Sequence, residues 1–313
     1  PCLSEGRKLL QGGVQLDEFL QHLFLGLVQG AIYVLLAQGL SIIFGLMGII
    51  NFGHGVFYML GAYVGFTMVQ LIFAPILGGN AAFAIALAAV PLIMFGIGIM
   101  FEKFVISRIY SAANARFSGV LITFGFSIFL PDFIRMAYGR PGKPFAIPPI
   151  LATSLLEIGT LNISAYRTFI IIVACILVAF LWVLLYKTNL GMVIRAGTSN
   201  NTMVQVLGIN VSKVWTQTFG LGIALAGFSG VMISPLYAVE PTMGDTILIQ
   251  TFIVVVVGGM GSFIGPVIGG LIIGQIWALT PLIGRTQFVV QYLSGTLIGP
   301  SFWEKASDIL LFI

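Results

Sequence analysis

Charge is what this sequence has least of. Of its 313 residues, 14 are Lys or Arg and 10 are Asp or Glu, 8% in all, against roughly a quarter in an average soluble domain. So few charges cannot cover a water-facing surface, which excludes the two soluble domains this length would otherwise predict. Disorder is excluded from the other side, because 58% of the chain is hydrophobic and has more to bury than its ordering entropy demands. Cysteine and histidine are equally scarce, with two of each. Cys2 lies in a polar tail and Cys175 in an apolar run, so neither a disulfide framework nor a CxxC metal site is possible. The basic residues never cluster beyond Arg7-Lys8, and a net charge of +4 spread this thinly makes no nucleic-acid surface.

What the sequence has is a series of apolar runs. A helix needs about 20 such residues to cross the hydrocarbon of a bilayer, and runs of that kind lie near 19–45, 51–74, 82–106, 118–137, 168–186, 214–239, 246–258 and 265–284. A ninth starts near Ala306 and stops at Ile313, so the last span is expected to be cut short. Backbone groups unpaired in lipid are costly, and the alternation of a β-barrel is absent. The expected fold is therefore all-α, a polytopic transmembrane bundle of about eight or nine spans, some broken or re-entrant. A tail, 1–18, would precede a single membrane domain, 19–313. The tail carries Glu5, Arg7, Lys8, Asp17 and Glu18 and lacks the layout of a signal peptide.

Lys and Arg in short loops orient the spans. Lys103, Arg108 and Arg116 mark one basic loop and Lys187, Arg195 and Lys213 another, the stretches between them free of acid. Both are predicted to be cytoplasmic, which puts the N-terminus and the loops 75–81, 138–167 and 240–245 outside. The loop 138–167, with Arg140, Lys143 and Arg167, runs against the rule but is long enough for charge to be a poorer guide.

Glycines recur four apart as Gly26/Gly30, Gly61/Gly65, Gly265/Gly269 and Gly270/Gly274, a spacing that lets another helix backbone come close. Packing within the bundle and a seam between subunits would both use it. Gly45–Gly55 (GLMGIINFGHG) faintly echoes Gly258–Gly270 (GGMGSFIGPVIGG), as a parallel duplication would.

Polar residues near the spans are few enough to weigh singly. Asn51, Gly53, His54 and Gly55 open the second span. Asn51 is an N-cap candidate, and a helix starting below the membrane surface would aim its positive dipole end at a solute pathway. Alternatively, Asn51 only caps and His54 is a buried, hydrogen-bonded histidine. Asp132 and Arg135 can pair one turn apart as a structural or a pathway feature, and Glu102-Lys103 sits at the end of a span where snorkelling would serve both.

The loop 187–213 carries a short amphipathic helix. Thr198 or Ser199 would cap it, Met203, Val206 and Leu207 share one face, and Gly208 would end it with positive φ. Its polar side holds no Lys or Arg for lipid headgroups, which favours docking to a protein over lying on the membrane. Gly227-Phe228-Ser229-Gly230 resembles the nucleophile motif of rhomboid-type intramembrane proteases, but His22 and His54 both lie upstream of the serine, where that pattern places its base downstream. No P-loop is present, since Gly142-Lys143 is followed by Pro144.

Three blocks, Gly39–Tyr63, Leu190–Met232 and Met243–Gly274, resemble permease subunits of the branched-chain amino acid family of ABC importers, the LivH/LivM type. The likeness spans nearly all of 19–284 and is most specific at Gly191, Arg195, Ala196, Leu207, Gly208, Ile209 and Asn210. It implies a multi-pass protein of the bacterial inner membrane that binds no cofactor itself, ATP and Mg²⁺ belonging to a partner ATPase, and is not an enzyme. It further implies a second, related permease, two ABC ATPase subunits and an extracytoplasmic solute-binding protein, with the loop holding Arg195, Thr198, Met203, Val206, Leu207 and Gly208 coupling to the ATPase. Its solutes would be branched-chain or other amino acids, and the alternative is an importer of urea, amides or aromatic acids. A secondary transporter would want an intramembrane carboxylate or basic residue for ion coupling, and the spans as drawn lack a mid-span carboxylate. The serine protease stays a remote competitor.

Overall fold

The computed structural model describes residues 16–109, 114–158 and 161–284. Most of the expected tail and the ninth span lie outside them. Among the described residues seven helices are long and apolar enough to cross a membrane. They are α1 (Leu16–Met47), α2 (His54–Leu77, wound as a π-helix over Thr67–Phe73), α3 (Gly79–Ile109), α4 (Ala115–Tyr138), α5 (Ala165–Lys187), α7 (Val211–Ile233) and α9, whose Ile264–Leu282 forms the span. Between α5 and α7 lies the amphipathic α6 (Asn189–Val206), and α8 (Met243–Gly258) is apolar but only 16 residues long. The bundle is helical, as the apolar runs predict. Strand appears only in the long loop, as an antiparallel hairpin of β1 (Ser154–Ile158) and β2 (Leu161–Ser164), which the sequence reading did not anticipate.

The helices sort by burial. In their most apolar windows α1 is 83% buried and α7 78%, whereas α4 and α5 are each 22% buried, so α1 and α7 form the centre and the other two the lipid-facing rim. A helix apolar all round belongs inside a bundle, and α1 supplies Tyr33, Leu35, Leu36, Leu40 and Ile43, all virtually inaccessible. The central helices touch through glycine: a β-carbon on Gly39 would stand 2.6 Å from the carbonyl oxygen of Gly222, and one on Gly222 would stand 2.7 Å from that of Gly39.

The spaced glycines are used within this chain. Gly30 of α1 faces Gly270 and Leu271 of α9, Gly61 of α2 faces Gly227 of α7, Gly65 faces Val231, and Gly265 faces Gly258. Polar side chains fasten the same seams, with His22 Nδ1 at 2.6 Å from the Ala278 carbonyl and Gln275 Nε2 donating to the Leu23 carbonyl at 3.1 Å. Bundle packing therefore accounts for the glycine pairs.

Chain direction gives the bundle two ends. The hairpin end gathers Gln21, whose Oε1 accepts from Asn162 N, and Asn80, whose Oδ1 accepts from Ile150 N. At the α6 end lie both basic loops, Lys103 to Arg116 and Lys187 to Lys213. Glu102 is not an interfacial, snorkelling side chain there. It is fully buried and accepts from Thr216 Oγ1 at 2.6 Å, tying the end of α3 to α7. Asp132 and Arg135 pair at 2.6 Å on α4, partly exposed.

Candidate functional site

The chain from Gly48 to Gly53 turns back into the bundle after α1. Gly48 adopts φ +65°, a left-handed conformation that a glycine takes without strain. Asn51 then closes a turn, its Oδ1 accepting from Gly53 N at 3.0 Å and its carbonyl from His54 N at 3.2 Å. The N-cap of α2 is Gly53, with no side-chain cap. Asn51 thus shapes the turn leading into the helix instead of capping it, because its amide is used two residues on. His54 Nε2 meets the Leu36 carbonyl at 3.1 Å. Leu36 is three turns before the end of α1 at Met47, so α2 starts about 16 Å in from that end at 1.5 Å per residue.

A second helix starts inside the bundle from the opposite direction. After α7 the chain bends at Ser234–Glu240, pairs Val239 with Lys143 and comes under Tyr63, whose hydroxyl reaches the Val239 carbonyl. It then opens α8, whose Gly244 packs on the backbone of Gly55: a β-carbon on Gly244 would lie 2.5 Å from the Gly55 carbonyl oxygen. The expected outer loop 240–245 is therefore not a surface loop throughout. Met243, Gly244 and Asp245 are the first turn of a half-length helix, set level with the start of α2. Two helix N-termini, with their positive dipole ends, meet within the bundle.

Beside this meeting is a cavity of about 450 Å³, lined by Phe52, Phe124, Ser127, Asp245, Phe252 and neighbouring aliphatic side chains of α8. Phe52 stacks on Phe252 with ring centroids 6.2 Å apart and meets Phe124 edge-on at 6.0 Å. Thr123 of α4 accepts from Phe52 N at 3.2 Å and fixes the turn against α4. Of the four pathway residues read from the sequence, Asn51 and His54 are buried and none lines the cavity; Phe52, in their midst, does. His54 points to α1 instead. The residues missed are Phe52, Phe124, Ser127, Phe252 and above all Asp245, a carboxylate just ahead of the run drawn at 246–258. Its signal was present: an acid just after Pro241 and Thr242, at the start of a helix too short to span.

At the α6 end, α6 is two helical stretches broken at Asn200 (φ −153°, ψ 94°). Neither Thr198 nor Ser199 caps the second stretch. Asn200 does, its Oδ1 accepting from Met203 N at 3.0 Å, while Thr198 Oγ1 bonds back to the Ile194 carbonyl. Met203, Val206 and Leu207 are 56%, 75% and 72% exposed, an apolar face left open, with Val204 buried behind it. Gly208 ends the element at φ +78°, and Asn210 caps α7 by accepting from Lys213 N. Arg195, though exposed, is tied to the end of α5, donating to the Leu185 carbonyl and lying 4.7 Å from the centroid of the Tyr186 ring. It borders a cavity of about 210 Å³ shared with Ser41, Thr198 and Ser262. Ser229, of the protease-like motif, is fully buried and bonded to the Leu225 carbonyl at 2.8 Å, a packing serine.

A family model described as the branched-chain amino acid transport system permease component matches residues 22–299. The chain belongs to this family. Among similar proteins are the high-affinity branched-chain amino acid transport system permease BraD of Pseudomonas aeruginosa, 31% identical over 290 residues (91% of this chain and 93% of that one), and its counterpart LivH of Escherichia coli, 29% identical over 276 residues (86% and 88%). A probable LivH of Methanocaldococcus jannaschii is 27% identical over 315 residues (92% and 86%). No solved structure matches the chain at a significant level. The permease is thus a multi-pass membrane transport protein and not an enzyme. Asp245 removes the ground on which ion-coupled transport was set aside; family membership is what separates this chain from that class.

Proposed function

We propose that this permease forms the solute pathway of an ATP-driven ABC importer for small polar solutes, branched-chain or other amino acids foremost. The observation that carries the reading is the meeting of two helix starts inside the membrane beside a cavity of ligand size. Broken helices of this kind place dipole ends and free backbone groups at a solute without exposing them to lipid, and ligand cavities fall between about 300 and 1,000 Å³.

The energy comes from another chain. The open apolar face of Met203, Val206 and Leu207 is the docking surface for an ABC ATPase, which supplies ATP and Mg²⁺, with two such subunits serving a pair of permeases. Arg195 and Thr198 hold α6 against the bundle so that movement at this surface is passed on. The α6 end faces the cytoplasm, as its basic loops favour. The N-terminus and the hairpin end face outward, where a solute-binding protein delivers its load.

Reconstitution of the permease with its partner subunits in proteoliposomes tests this. Labelled leucine should accumulate only with ATP on the ATPase side and binding protein on the other. Accumulation that follows an ion gradient without ATP refutes the reading.

A further inference from the structure

Among the described residues, Asp245 is the only charged one lining the 450 Å³ cavity. It stands in the first turn of α8, next to Gly244 and so to the start of α2, and is exposed at the mouth of the cavity. A carboxylate beside an apolar cavity favours a ligand that brings a positive group to it.

The described residues offer two compensations, and neither is complete. One is the dipole of α8. The other would be Arg135 on α4, but its guanidinium is bonded to Asp132 at 2.6 Å. Asp245 is thus left as a carboxylate at the edge of a cavity otherwise lined by Ser127 and by aromatic and aliphatic groups. A ligand that completes this balance has a positive group and an apolar body.

We infer that Asp245 receives the α-ammonium group of an amino acid with an apolar side chain, whose hydrocarbon lies among Phe52, Phe124 and Phe252. The inference rests on the transport reading above and narrows its solute. Aromatic acids carry only negative charge and are repelled by Asp245. Urea and neutral amides leave its charge unmatched.

The test is leucine uptake by the complete transporter in proteoliposomes, comparing wild type with Asp245→Asn and Asp245→Glu. Asp245→Asn should lower uptake about tenfold or more, the scale of one charge-assisted hydrogen bond, while the complex still co-purifies. Asp245→Glu, which keeps the charge, should restore most of it. Uptake by Asp245→Asn within twofold of wild type overturns the inference while the transport reading stands. So does loss of the second permease subunit on purification of Asp245→Asn, which would mean that the carboxylate binds the neighbouring chain. A wild-type complex that moves no amino acid defeats the transport reading itself.

Discussion

Gly55 and Gly244 stand backbone against backbone, and a β-carbon on Gly244 would lie 2.5 Å from the Gly55 carbonyl oxygen and 3.2 Å from Val56 N. That approach brings the two helix starts together and places Asp245 at the cavity. Both obstructing atoms are backbone and cannot rotate away. Gly244→Val should therefore force the helices apart at a cost of about 1–3 kcal/mol, the scale of an overpacked interior. Thermal unfolding of the detergent-purified permease checks this, and a midpoint equal to wild type would contradict the contact.

The exposed face at the end of α6 gives a second expectation. Met203, Val206 and Leu207 are left exposed among the described residues, yet they sit on an element anchored by Val204 beneath and by the Asn200 cap. Met203→Asp or Leu207→Asp puts a charge where an ATPase is to dock and leaves the membrane helices untouched. Co-purification of the ATPase should be lost while the permease remains in the membrane fraction. Full recovery of the ATPase with either variant refutes docking at this face.

Thr198 is a wedge between α6 and the transmembrane helices. Its methyl carbon lies 3.0 Å from where a β-carbon on Gly45 would stand and 3.4 Å from the same point on Gly261, the glycine in the turn joining α8 to α9. Ser41 ties that turn to α1, its Oγ donating to the Ser262 carbonyl and accepting from Gly261 N. A shift of α6 is therefore felt at the end of α8, whose other end carries Asp245. Gly45→Leu should displace the wedge and uncouple the machine, with ATP hydrolysis continuing while solute uptake falls. Measuring both on one preparation decides the matter, since a parallel fall in the two would argue against this route.

Some of this architecture is legible in the sequence and some is not, for identifiable reasons. The long spans follow from apolar length, because nothing else can be done with such runs in water. The glycine pairs foretell close helix contacts, although the partner of each depends on distant segments, as Gly30 with Gly270 and Gly61 with Gly227. The open face at Met203, Val206 and Leu207 is readable from helical spacing, but its cap is not: Thr198, Ser199 and Asn200 are all good capping residues, and the backbone break at Asn200 selects one. The cavity is hardest. Phe52 looks like any apolar residue, and Asp245 like the last residue of an outer loop, until the short α8 folds inward and Gly244 meets Gly55. Depth in the membrane is a property of the tertiary path, and hydropathy along the chain does not record it.

His54 and Gly53, adjacent in sequence, should behave differently on substitution. The His54 ring is fully buried against α1, with Nε2 on the Leu36 carbonyl and Cε1 3.2 Å from where a β-carbon on Gly39 would stand. It does not line the cavity, so its work is to fix the depth at which α2 begins. Glutamine keeps an amide donor for the same carbonyl, and His54→Gln should leave solute uptake within about twofold of wild type, the loss of part of one neutral hydrogen bond. At Gly53 a β-carbon would press on Asn51 Oδ1 at 3.1 Å and Phe126 Cδ1 at 3.4 Å, so Gly53→Leu must break the turn that sets Asn51 and Phe52 in place. Uptake should then stop even though the complex still assembles. If His54→Gln abolishes uptake and Gly53→Leu spares it, the solute passes on the α1 side of this helix start and the cavity at Phe52 is not its route.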